Sequence, residues 1–307
     1  MSFEITVAEI EQFRANAIQI AQQKVSKTWP YVQVKDNVKG KSEYFERIGK
    51  SKMRKRTTRF AESPQMDTPH SRRKVSLEVF DWGDFVDNSD VRRVLIDPAS
   101  AYTISAGFAV GRQKDAVIID ACTGNAYGGA AGSDVIALPA AQKIVANNIG
   151  MTVAKVAEAK EKMDKAEIDE EGRVMLYSSD QFSDLLEDAR FTSKDYIDIE
   201  RLVTGRVDTY MGFKWLRIEP RKAAPTAGAA SGDNEHGLPY NATTDVTTCV
   251  AFWGLGLGLA IGQIEKFEFA KRADRSFANY LFCEMDIGAT RIQEEAVVTI
   301  DCDNSPV

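Results

Sequence analysis

Residues 50–74, KSKMRKRTTRFAESPQMDTPHSRRK, hold nine lysines and arginines against two carboxylates, Glu62 and Asp67. This is a +7 segment in a chain whose net charge is −6, so the other residues together carry −13. Such an asymmetry calls for something negative to meet the segment: nucleic acid, a membrane surface, or the acidic remainder of the same or a neighbouring chain. The run also lies in the least regular part of the sequence. From Tyr31 to about Lys74 neither a helical nor a strand period is sustained, and about 40 aperiodic residues inside an otherwise ordered chain read as a functional arm or a partly disordered segment.

The flanks bound what the arm belongs to. Thr6 and Glu9 form a capping box ahead of Ile10, Phe13, Ala17 and Ile20, which predicts an amphipathic helix ending before Trp29-Pro30. Val75 to Phe80 alternates apolar and polar residues, as a half-buried strand does. Arg56–Phe60 and Val75–Phe80 are expected to be the two legs of a long hairpin. Asp97-Pro98 starts a long helix through Ala101, Ile104, Phe108, Ala116 and Ile119, closed by Thr123-Gly124. Tyr127 to Gly132 is rich in Gly and Ala and marks a subdomain boundary.

Beyond it, Met151–Ile168 predicts a solvated helix with Glu158 and Glu161 placed four residues ahead of Lys162 and Lys165. Arg173–Tyr177 predicts a strand, and Ser178-x-x-Gln181 caps a short helix with Phe182, Leu185, Leu186 and Ala189 on one face. Val207–Ile218 reads as a strand pair or one long strand, interrupted at Gly212, and Ala223–Asp233 as an exposed loop. Strands are expected at Thr248–Trp253, Ile261–Phe269, Tyr280–Asp286 and Ala296–Ile300. The sum is an α+β fold rather than regular βαβ alternation.

Positive signals for chemistry are absent. A pI near 5.2 argues against a dedicated DNA-binding protein. The longest apolar run, Val250–Ile261, is interrupted by Gly254, Gly256 and Gly258 and falls short of the roughly 20 residues that span a bilayer; no signal peptide is read at the start, so no membrane is expected. His70 and His236 lack companions at zinc spacing. Gly254-Leu255-Gly256-Leu257-Gly258 misses the dinucleotide pattern, because position 259 is Leu259; close backbone approach explains it better. Asp195 with Asp198 and Asp301 with Asp303 are carboxylate pairs without further motif context, and Glu294-Glu295 reads as a solvated strand face. Cys122, Cys249, Cys283 and Cys302 are read as buried reduced thiols. No cofactor, metal or catalytic residue is expected.

Taken in order, these parts resemble the major capsid protein of tailed double-stranded DNA bacteriophages, with the Hong Kong 97-type fold. Lys114 to Gly124, KDAVIIDACTG, is similar to the end of that family's spine helix; Tyr210-Met211-Gly212-Phe213-Lys214-Trp215 resembles the strand leaving the axial lobe; Ala289-Thr290-Arg291 onward resembles the closing strand. The resemblance implies an N-terminal arm at 1–34, an extended E-loop at 35–80, a peripheral domain with the spine helix at 81–124, an axial domain at 125–250, and return strands of the peripheral domain at 251–307. It implies a subunit that closes with itself into pentamers and hexamers of an icosahedral shell around DNA, assembled in the host cytoplasm and found in the virion capsid. A portal protein, a decoration protein and non-specific contact with packaged DNA are further implied partners. The family often carries an acidic helical extension before the arm; Met1 leaves no room for one, so a separate scaffolding protein is expected.

On this reading Lys50, Lys52, Arg54, Lys55, Arg56, Arg59, Arg72, Arg73 and Lys74 make intersubunit contacts from the E-loop. The alternatives are an encapsulin-like nanocompartment shell and, more distantly, a nucleic-acid-binding protein or metal-dependent enzyme.

Overall fold

The computed structural model describes residues 23–60, 62–86, 98–188, 208–221, 236–262 and 266–305. The helix expected after Thr6, the Ala223–Asp233 loop and the Asp195/Asp198 pair lie outside these residues.

The axis of the molecule is helix α1, Pro98–Thr123. Its 26 residues give a length of about 39 Å at 1.5 Å per residue. The buried side is written by Ala106, Val110, Ile118, Ile119 and Cys122, whereas Ile104 is 46% exposed. The helix stops where Gly124 donates its backbone N–H to Asp120 O at 2.8 Å.

Three sheets surround this axis. The first is built on β15 (Ala278–Arg291), whose Leu281, Cys283, Met285 and Ile287 alternate into the core, as a strand with one covered face requires. One edge of β15 pairs with β4 (Glu78–Val86); the other pairs with β13 (Leu257–Ile261) and then β14 (Lys266–Arg272). Strand β1 (Gln33–Lys35) adds in parallel to β13, and α1 packs along β15.

The second sheet has the order β7-β16-β12-β8-β10-β9, with β11 on β12. Its strands are β7 (Lys143–Ile144), β8 (Arg173–Tyr177), β9 (Thr209–Tyr210), β10 (Phe213–Arg217), β11 (Tyr240–Asn241), β12 (Val246–Trp253) and β16 (Val297–Asp303). β8 is buried along its whole length, as expected of a central strand. Helices α2 (Val153–Lys165) and α3 (Ser179–Glu187) flank β8 in sequence. Thr152 Oγ1 accepts from the Lys155 N–H at the start of α2, and a capping box of Ser178 and Gln181 opens α3. The predicted ion pairs of α2 form, Lys162–Glu158 at 3.3 Å and Lys165–Glu161 at 2.5 Å.

The third sheet, β2-β3-β5-β6, comprises β2 (Ser42–Ile48), β3 (His70–Ser76), β5 (Ala126–Gly128) and β6 (Asp134–Ile136).

Four expectations need correction. The hairpin legs are β2 and β3, not Arg56–Phe60 and Val75–Phe80; in β2 only Phe45 is fully buried, too weak an alternation to stand out. The Gly- and Ala-rich stretch is no linker at its start, because β5 pairs with β3. The strand expected over Ile261–Phe269 is the end of β13 and the start of β14. Finally, the closing residues do not all return to the sheet of β15: β16 pairs with β12 over seven positions, Val246↔Asp303 to Phe252↔Val297. The expected division at 250/251 therefore cuts through one continuous sheet.

Candidate functional site

The basic run divides in two. Arg72, Arg73 and Lys74 lie in β3, whereas Lys50, Lys52, Arg54, Lys55, Arg56 and Arg59 lie in the loop beyond the last backbone bond of the hairpin, Gly49 N–H to Pro69 O at 2.8 Å. The two halves meet opposite environments.

At the base, Arg73 is 4% exposed and donates from Nη2 to Glu294 Oε1 at 2.7 Å. Arg47, on β2, donates from Nη1 to the other carboxylate oxygen at 3.3 Å and to Ile292 O at 3.1 Å, while its Nε reaches Ser71 Oγ at 2.9 Å. Glu294 is thus held between two guanidiniums and ties both hairpin strands to the turn between β15 and β16. Beneath this clasp Phe45 and Val75 pack with Ala260 and Ile292 in a small core of their own. The hairpin comes this close because Gly258 faces the Phe45 ring, where an added Cβ would lie 2.7 Å from a ring carbon. Arg72 differs again: it lies over the Tyr44 ring and stands 3.8 Å from Glu46. The carboxylates that Arg73 and Arg72 meet belong to their own chain, which narrows the group open to a neighbour. Lys74 sits opposite Tyr44 on β2 and Tyr127 on β5.

At the tip, every residue from Ser51 to Phe60 is exposed. The hydrogen bonds there are local: Arg54 Nη2 to Glu62 O at 3.4 Å and Arg56 Nε to Thr58 O at 2.9 Å. Lys50, nearest the base, donates to Glu167. Met53 and Phe60 are fully open to solvent at 102% and 93%, so the tip presents apolar as well as cationic groups.

Two further buried charges join segments to α1. Asp115, 1% exposed, accepts from Ser26 Oγ and Thr28 Oγ1 at 2.6 Å each, from the N–H groups of Lys27 and Thr28 at 3.0 Å, and from Gln23. One turn earlier Gly111 lets the incoming chain cross: a Cβ there would lie 3.1 Å from Ser26 N. Arg291, fully buried, donates to Cys122 O at 3.1 Å, Gly124 O at 2.8 Å and Ile136 O at 3.0 Å. It therefore serves the carbonyl end of α1, where a cation complements the helix dipole. Burial pulls the Arg291 guanidinium below its ordinary value, opposed by the nearby Glu294 carboxylate.

Sequence reasoning missed Glu294, Arg47 and this use of Arg291. Glu294 is not a solvated face: it is 8% exposed, whereas Glu295 beside it is open to solvent. The available signal was its place between Ile292 and the apolar run Ala296–Ile300.

Among the described residues no group of three His, Cys, Asp or Glu is arranged to hold a metal ion. Asp301 accepts the Thr248 hydroxyl at 2.7 Å, and Asp303 accepts the Ser305 N–H at 2.9 Å. All four cysteines are buried and unbridged, and burial pushes the Cys122 thiol up to about 12. His70 opens β3 on the exposed side. The glycine series is a tight turn, Gly254–Gly256, leading into β13. Among the described residues no helix is long and apolar enough to cross a membrane.

The same architecture recurs in phage heads. Solved capsids of Helicobacter pylori bacteriophage KHP30 (TM-score 0.70, 11% identity, 94% of each chain covered), Ralstonia phage GP4 (0.67, 11%, 94% of each) and Cyanophage P-SCSP1u (0.65, 16%, 93% of this chain and 90% of that one) superpose on it. At such identities the likeness is one of fold, the Hong Kong 97-type capsid fold. No curated protein matches by sequence. The family model described as phage capsid protein matches residues 5–304. With that match over almost its whole length, this chain belongs to the phage capsid protein family.

Proposed function

We propose that the chain is the shell-building subunit of a phage head, closing with itself into pentamers and hexamers of an icosahedral capsid that encloses double-stranded DNA. The observation that carries this reading, beyond family membership, is the hairpin: its base is fixed to the body by buried charge, and among the described residues its tip is exposed from Ser51 to Phe60, with Lys50 reaching the body. An extended element of this kind enlarges the surface each subunit buries against its neighbours, and closed symmetry repeats that contact around every ring.

Lys50, Lys52, Arg54, Lys55, Arg56 and Arg59 are the intersubunit cations in this reading, together with Lys74 at the base, while Arg73 positions the hairpin. The arm, E-loop, peripheral and axial divisions follow the family pattern, with β16 assigned to the axial sheet. Assembly in the host cytoplasm, a separate scaffolding protein, a portal, a decoration protein and non-specific contact of the inner surface with DNA belong to the same proposal.

Negative-stain microscopy of the purified particles tests it. Megadalton icosahedral shells are expected, and nucleic acid extracted from them distinguishes a genome container from a cargo compartment. Replacing Arg56→Glu and Arg59→Glu together is expected to lower particle yield while leaving the subunit soluble; unchanged yield would count against a role for the tip.

A further inference from the structure

Next to the turn that follows α2, the body carries a cleft of about 590 Å³, within the roughly 300–1,000 Å³ over which pockets accept ligands or anchoring side chains. Its apolar wall is made by Tyr31, Trp253 and Leu255, the last 58% exposed. Its rim is Asp169, Glu170 and Glu171, all exposed.

The cleft is built rather than left over. Arg173, 2% exposed, spends its guanidinium on the rim turn: Nε donates to Asp169 O at 2.8 Å, Nη1 to Asp164 at 2.6 Å, and Nη2 to Ile168 O. Trp253 Nε1 donates to Glu171 O at 3.0 Å, and the Gly254 N–H to Gly172 O at 3.1 Å. Cations already present take only part of the site: Lys160 pairs with Glu170 at 3.2 Å, and Lys214 stands 4.8 Å from the centre of the Tyr31 ring. Among the described residues Asp169 and Glu171 have no ion-pair partner.

We propose that this cleft receives the hairpin tip of a second copy of the chain, an inference that rests on the shell reading above. The chemistry of the two surfaces matches on both counts. Residues 50–60 contain six cations and no carboxylate, opposite a carboxylate rim; exposed Met53 and Phe60 find an apolar wall. An arginine stacked on Trp253 beside the rim carboxylates combines cation–π attraction with charge pairing, the kind of anchor that dominates interfaces. Among the described residues the hydrogen bonds from the chain's own hairpin to the near side of this turn come from Lys50, at Glu167 and Ala166 O.

Zero-length carbodiimide coupling of particles formed by the unmodified chain tests the docking directly. Amide links from Lys52 or Lys55 to Asp169, Glu170 or Glu171 are expected, identified by peptide mass spectrometry in dimer and larger gel bands and at least tenfold depleted in the monomer band. Intact particles in which these links are absent, or sit equally in the monomer band, would overturn the cleft assignment and leave the shell reading standing. Failure to find particles under any conditions of expression or infection would instead remove the shell reading, and this inference with it. As a second arm, Asp169→Lys with Glu171→Lys is expected to abolish the links at positions 169 and 171, and adding Lys52→Glu with Lys55→Glu to the same chain to restore links at those two positions with amine and carboxylate exchanged. Loss without restoration would also overturn the assignment.

Discussion

The base and the tip of the hairpin are written in the same residues and do opposite work. Arg73 at the base is a desolvated charge whose carboxylate lies inside the chain, and Arg54 or Arg56 at the tip is a solvated one. A charge taken out of water must be paired, or it destabilises the fold by several kcal/mol; a charge left in water contributes little until a partner arrives. The number of basic residues in a run therefore says little about what the run contacts. Their burial decides which of them hold the subunit together and which remain for a neighbour.

If that division is right, mutations should separate along it. Glu294→Ala leaves the Arg73 guanidinium buried without its anion and should cost about 3–5 kcal/mol, read as a fall of several degrees in the unfolding temperature of the free subunit. Asp115→Ala strands the buried amide and hydroxyl of Thr28, and at about 1–3 kcal/mol for each unsatisfied group it should cost a comparable amount; hydrogen exchange at Lys27 and Thr28 should accelerate before the rest of the chain responds. Gly258→Ala drives a methyl into the Phe45 ring and should cost about 1–3 kcal/mol by overpacking, measured by denaturant titration. At the other end, Arg54→Glu combined with Arg59→Glu should change subunit stability by no more than about 0.5 kcal/mol while reducing particle yield. A tip variant that melts like Glu294→Ala would erase the distinction.

Much of the body was legible because local signals were strong and mutually consistent. Pro98 and Thr123-Gly124 bracket α1, Ser178 and Gln181 cap α3, and Gly212 interrupts the chain between β9 and β10. The hairpin base was illegible for a physical reason. Its strand β2 buries one side chain completely, and what secures it is a carboxylate some 250 positions away in sequence, Glu294 with Arg47. A lone charged residue among apolar neighbours looks alike whether it is solvated or clasped. Pairing at that separation is set by how β3, β15 and β16 come together, which no local pattern encodes. The acidic turn at Asp169–Glu171 posed the same problem, because its order comes from Arg173, whose side chain folds back under it. In the tip the difficulty was the reverse: composition marked it clearly, yet composition alone admits nucleic acid and protein partners alike.

Hydrogen–deuterium exchange, compared between the free subunit and the assembled particle, tests the central division most directly. The amides that pair the two strands of the base, Glu43, Phe45 and Arg47 on β2 with Ser71, Arg73 and Val75 on β3, should be protected in both states. Amides 51–60 should exchange at once in the free subunit and become protected on assembly. Tip amides that stay equally fast in the particle, or base amides that open in the free subunit, would contradict the account.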